Sequence, residues 1–86
     1  MAKVLLIDDD RKHSALMQAY FKRFGITLVC AYDADEGFKK LSREEPDLLL
    51  LDVMLPGKDG FEICREVRKN NNIPIIMLTA RGDVFD

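Results

Sequence analysis

Four short apolar runs, at positions 3–7, 26–31, 47–51 and 73–78, alternate with segments of helical periodicity, and that alternation restricts the chain to an α/β architecture on a parallel sheet. The pattern reads β-α-β-α-β-α-β. Leu48 to Leu51 and Ile75 to Leu78 are apolar at every position, as in strands covered on both faces, whereas Ile26 to Cys30 admits Thr27. A doubly wound sheet in the order 2-1-3-4 satisfies both observations, with the second strand at one edge. The chain then reverses direction at the first strand, so the crevice between the first and third strands is the switch point where such sheets bind ligands.

The helices have readable limits. The first begins at an aspartate cluster, carries Leu16, Ala19, Tyr20 and Phe24 at helical spacing as its expected core stripe, and stops at Gly25. The second starts near Asp33 or Asp35, places Ala34, Phe38 and Leu41 on one side, and ends before Pro46. A third follows the turn at 56–60, buries Ile63, Cys64 and Val67, and finishes on Arg68 and Lys69, whose charge suits a helix carboxyl end. Right-handed crossovers place the first helix on one face of the sheet and the other two on the opposite face.

Chemistry concentrates where two strands stop. The run Val4 to Ile7 ends on Asp8, Asp9 and Asp10, and the run Leu48 to Leu51 ends on Asp52. On adjacent strands these carboxylates converge at one point, where mutual repulsion calls for a cation. Asp8, Asp9 and Asp52 are hard oxygen ligands suited to Mg²⁺, which prefers near-octahedral oxygen coordination, and Asp10 is expected to cap the first helix. The turn after Asp52 can aim a backbone carbonyl, that of Met54, at the same ion. A carboxylate beside a bound metal can attack a phosphoryl group and become an aspartyl phosphate. Thr79 closes the fourth strand on the same edge, where its hydroxyl could meet a phosphate oxygen on Asp52.

Composition excludes several classes. Thirteen Lys and Arg against fifteen Asp and Glu give a net charge of -2 with no basic cluster, which argues against nucleic-acid binding by these residues. The amino terminus resembles neither a signal peptide nor a membrane span, so a reducing, cytoplasmic setting is expected. Cys30 and Cys64 lack metal or redox partners in sequence and are expected to be small buried hydrophobes. His13, in the first turn of the first helix, is expected to be solvated or capping, and Asp33, Asp35, Arg43, Glu44 and Glu45 to be solvated charges.

Ile7-Asp8-Asp9-Asp10, the segment Leu51-Asp52-Val53-Met54-Leu55-Pro56-Gly57-Lys58-Asp59-Gly60, and Met77-Leu78-Thr79-Ala80-Arg81 resemble the signature segments of two-component response-regulator receiver domains, which have a flavodoxin-like or CheY-like fold. The resemblance covers essentially the whole chain. The Leu-Thr-Ala-Arg-Gly ending is similar to the OmpR/PhoB class of transcriptional regulators, including CpxR-like members. It implies Asp52 as phosphoacceptor, Asp8 and Asp9 as the Mg²⁺ acid pair, the Met54 carbonyl as a further ligand, Thr79 as switch residue, and a sensor histidine kinase as phosphodonor. The protein would be a signalling phosphoacceptor rather than an enzyme.

Receivers normally continue through another helix, a fifth strand bearing an essential lysine, and a fifth helix. Residues 1–86 are therefore expected to be a receiver domain shortened after the fourth strand, without that lysine and without a DNA-binding domain. DNA contact would belong to a missing output domain. An apolar fourth strand would form an open edge, and the first-helix face of the third and fourth strands would be bare, which predicts self-association or exchange of elements. Other readings stand beside this one. A haloacid-dehalogenase-like phosphatase would use Asp8 as nucleophile, a flavin module would need a phosphate cradle that Asp9 and Asp10 repel, and an inert fragment would keep the scaffold without activity.

Overall fold

The computed structural model describes residues 2–53, 55, 57 and 59–78, and the backbone of 84–85. Its elements are β1 (Lys3–Ile7), α1 (Arg11–Lys22), β2 (Thr27–Ala31), α2 (Ala34–Glu44), β3 (Leu48–Asp52), α3 (Gly60–Arg68), β4 (Ile75–Leu78) and β5 (Val84–Phe85). The sheet order is β2-β1-β3-β4-β5. The first four strands are parallel, with Ile7 opposite both Ala31 and Leu51, and Asp52 opposite Leu78. This is the doubly wound order expected from the apolar runs.

β5 corrects the expectation that β4 would be an open edge. Two residues run antiparallel to β4, with Met77 opposite Phe85 and Leu78 opposite Val84. Backbone groups on an apolar edge strand are costly when unpaired, and a short returning strand answers that cost. The helical pattern and the apolar runs carry no signal for a strand of two residues.

The two faces fill as the crossover rule requires. Leu5, Ile7, Leu49, Leu51, Ile63, Val67, Ile75 and Met77 form a cluster on the α2/α3 face, with Ala34, Phe38, Leu41 and Cys64 packed against it. Val4, Leu6, Leu28, Cys30 and Leu50 form the opposite cluster, backed by Met17 and Phe21 of α1 and flanked by Leu48 and Ile76. Leu50 is buried and Leu48 and Ile76 are half-buried, so that face of β3 and β4 is more covered than expected.

The predicted stripe of α1 is overturned. Leu16, Tyr20 and Phe24 are 71%, 56% and 63% exposed, and Ala19 is also exposed, while Ser14, Met17 and Phe21 face the sheet. Asp10, the residue before the helix, accepts a hydrogen bond from the His13 N–H and sets where the helix starts, hence its rotational phase. Ser14 can be buried because its hydroxyl donates to the Asp10 carbonyl at 2.9 Å. Period alone could not distinguish the 16/20/24 row from the 14/17/21 row.

Three charges expected in solvent also have partners. Asp33 caps α2 by accepting the Glu36 N–H at 2.8 Å, Glu44 accepts the Lys3 ammonium at 3.2 Å, and Arg43 pairs with Glu44 at 3.4 Å. Both cysteines are free thiols, Cys30 buried and Cys64 half-buried. Burial pushes the Cys30 thiol pKa up, with Lys40 opposing, which keeps it protonated and inert.

Candidate functional site

β1 delivers Asp8 to the crevice because its ladder runs one residue beyond the strand: the Asp8 N–H donates to the Ala31 carbonyl at 3.0 Å. The chain then turns sharply into α1. Asp8 Oδ1 accepts the Asp10 N–H at 2.9 Å, and Asp8 Oδ2 lies 2.7 Å from His13 Nδ1. Asp8 is thus buried, with both carboxylate oxygens engaged. Asp10 turns the other way, caps α1 as expected, and is spent on the helix amino end.

β3 supplies Asp52 on the neighbouring strand. Its position is held by the Val53 N–H on the Leu78 carbonyl at 2.9 Å and the Gly60 N–H on the Val53 carbonyl at 3.0 Å. Gly60 is necessary for that second contact. A Cβ there would lie 2.8 Å from Val53 Cα and 3.0 Å from the Asp52 carbonyl oxygen, so only glycine lets the start of α3 rest on the strand end. Asp59, just before it, caps α3 by accepting the Glu62 N–H at 2.9 Å.

One carboxylate oxygen from each of Asp8, Asp9 and Asp52 comes within 4.8 Å of the others, with Asp8 buried, Asp52 half-buried and Asp9 exposed. The three residues singled out from the strand ends therefore meet. An all-oxygen set of this size, open on the Asp9 side, suits a hard divalent cation that keeps part of its water shell. Met54 and Thr79, the remaining expected members, lie outside the described residues.

Sequence reasoning missed the part played by His13. It occupies the third position of α1, from which side chains reach back over the helix amino end, as in a capping box. That position was the available signal. Beside the site, the Arg11 guanidinium stacks 4.0 Å above the Tyr32 ring. The Tyr32 N–H donates to Glu36 Oε1 at 2.8 Å, and Glu36 pairs with Lys40. That backbone hydrogen bond, followed by Lys40, holds the Glu36 carboxyl pKa below the usual range.

A family model described as the response regulator receiver domain matches residues 4–86. The chain belongs to the response regulator receiver domain family. Solved receivers agree with this domain in shape. The BeF3-activated N-terminal receiver domain of Klebsiella pneumoniae RstA is 38% identical, covers 91% of this chain and 67% of its own, and superposes with a TM-score of 0.86. Thermotoga maritima TrrA, solved in complex with Mg(2+)-BeF, is 32% identical over 93% of this chain and 70% of its own, with a TM-score of 0.85. The N-terminal domain of a response regulator receiver protein from Methanoculleus marisnigri reaches a TM-score of 0.89 at 29% identity, covering 93% of this chain and 68% of its own. This receiver domain is thus part of two-component signalling. Among its described residues, no helix is long and apolar enough to cross a membrane.

Proposed function

We propose that this receiver domain accepts a phosphoryl group from a sensor histidine kinase onto Asp52, with Mg²⁺ held by Asp8, Asp9, Asp52 and the Met54 carbonyl. The observation that carries the reading is the meeting of three carboxylates from two strand ends within 4.8 Å. The resemblance of Leu51-Asp52-Val53 and the turn after it to the receiver signature supports Asp52 as the acceptor, and the hydrogen bond on each oxygen of Asp8 supports a ligand role for Asp8. In the transfer, an Asp52 oxygen bonds to phosphorus as the phosphorus–nitrogen bond of the donor phosphohistidine breaks, and the leaving imidazole nitrogen keeps the electron pair and takes up a proton. A bound divalent cation supplies neutralisation of charge on the carboxylates and on the incoming phosphoryl oxygens. Thr79 then reports the phosphate by donating its hydroxyl to it. The domain acts as a signalling switch in the cytoplasm, not as a turnover enzyme.

The similarity to RstA and the Leu-Thr-Ala-Arg-Gly ending support a parent transcription regulator of the OmpR/PhoB class, CpxR-like in style, reaching DNA through an output domain. Exposure of Leu16, Tyr20 and Phe24 supports self-association of the isolated domain.

The test is a titration with Mg²⁺ and beryllofluoride, a phosphoryl mimic, of the wild type and Asp52→Asn while mass in solution is followed. A response that depends on Asp52 is expected. Identical behaviour of the two proteins overturns the assignment; so does an acyl phosphate mapped to Asp8 after separate incubation with Mg²⁺ and a small acyl-phosphate donor, which would revive the phosphatase reading.

A further inference from the structure

We propose that His13 is a positioning residue for the metal centre: its Nδ1–H holds the Asp8 carboxylate in the orientation that lets Asp8, Asp9 and Asp52 share one divalent cation. The inference rests on reading the three acids as a cation site. It goes beyond that reading by assigning part of the affinity to a side chain that is not a ligand.

The geometry is specific. Asp8 Oδ2 and His13 Nδ1 are 2.7 Å apart, with the Asp8 side chain 6% exposed and the His13 side chain 49% exposed. An ionised carboxylate only accepts, so Nδ1 is the ring nitrogen that carries the proton. The Asp10 N–H holds the other Asp8 oxygen at 2.9 Å. Two donors on opposite oxygens fix the rotation of the carboxylate plane, and neither uses all the lone pairs of its oxygen, so each retains capacity for a cation. His13 is itself anchored, because its backbone N–H donates to Asp10 Oδ1 at 3.0 Å. The helix cap therefore sets the ring, and the ring sets the ligand.

His13 lies outside the set of oxygens that meet, so it acts through Asp8. Hydrogen bonds to metal-binding side chains typically contribute about 10-fold to 100-fold in metal affinity. The half-exposed ring places His13 at the lower end, about tenfold.

The experiment is calorimetric titration of Mg²⁺ alone, at one fixed pH, into the wild-type domain and the variants His13→Ala, His13→Phe, His13→Asn and Asp8→Ala, with a thermal melt of each metal-free protein to verify folding. Phe keeps the ring without a donor, whereas the Asn side-chain amide can occupy the place of Nδ1. The dissociation constant is expected to rise about tenfold in His13→Ala and His13→Phe and to stay within about threefold of wild type in His13→Asn. Wild-type affinity in the folded Phe variant overturns the proposal, as does an Asn variant as weak as Phe. If Ala fails to fold, the Phe and Asn pair still decides. Unchanged binding by Asp8→Ala would instead remove the cation-site reading itself.

Discussion

The α2/α3 face and the α1 face of the same sheet are built differently. On the first, Leu5, Ile7, Leu49, Leu51 and Ile63 are at most 1% exposed. Gly37 brings α2 so close that a Cβ there would lie 2.4 Å from Ile7 Cδ1 and 2.9 Å from its Cγ1. On the second, α1 contributes only the half-buried Met17 and Phe21, and polar groups do part of the joining. Gln18 donates to the Leu28 carbonyl of edge strand β2 at 2.9 Å, and Ser14 is buried against the start of its own helix. One face is held by apolar packing, the other by a thinner layer with polar anchors. The acid cluster sits between them, so its backbone frame draws on the tight face while His13, on α1, adjusts it from the looser one.

The largest test of that contrast is a paired truncation. Ile63→Ala should cost about 3 kcal/mol and Phe21→Ala about half as much, because the lost transfer and cavity terms scale with burial. Urea midpoints measure both, and equal losses would break the comparison. Glycine substitutions come next. Gly37→Ala should destabilise by about 1–2 kcal/mol through overpacking against Ile7, although a helix interior ordinarily gains up to about 1 kcal/mol from that exchange. A raised melting temperature would show that α2 can move away from the sheet. Gly60→Ala should have a similar stability cost and, by pushing α3 off the end of β3, weaken the beryllofluoride response as well.

Gln18→Ala sharpens the account of the α1 face. Removing one side-chain bond to a β2 carbonyl should cost about 1 kcal/mol, read as a melting shift of about 4–8 °C. Acid should act through α2. The Glu36 carboxyl is held below its ordinary value of 4.5, first by the Tyr32 N–H and then by Lys40. A pKa lower in the folded than in the unfolded state gives stability present above the unfolded value and lost as pH falls through the folded one. Glu36→Gln should therefore flatten the loss of stability below about pH 4.5, as seen in melts across that range. The smallest effect belongs to the outward stripe, where Leu16→Ser and Phe24→Ser should each change the stability of the dilute monomer by no more than about 0.5 kcal/mol. A further loss that appears only at high protein concentration is expected if the stripe is where two copies meet, as the proposed self-association has it.

Much of the site was legible because its logic is local to strand ends. A strand buried on both faces reads as an unbroken apolar run, and an acid directly after such a run must emerge at the carboxyl edge of the sheet, as Asp8 and Asp52 do. Asp10 as cap and the inward rows of α2 and α3 were equally readable from spacing and charge. His13 was legible only in its position in the first turn of α1; that its ring meets Asp8 depends on how α1 is turned against the end of β1. Glu44 was read as solvated for the same reason, since its ammonium partner Lys3 is distant in sequence, whereas the Asp33 cap on the Glu36 N–H is as local as that of Asp10 and was open to the same reading.

By itself, the sequence determined the alternation of elements, the parallel run of the first four strands with β2 at an edge, and the identity of the acids at their ends, since each follows from periodicity and from the need to bury apolar runs. Tertiary structure alone decided the phase of α1, the pairing of β5 with β4, and the binding of Asp8 to His13. Those three depend on contacts between segments whose spacing leaves more than one arrangement open, and packing, together with the need to satisfy buried polar groups, selects among them.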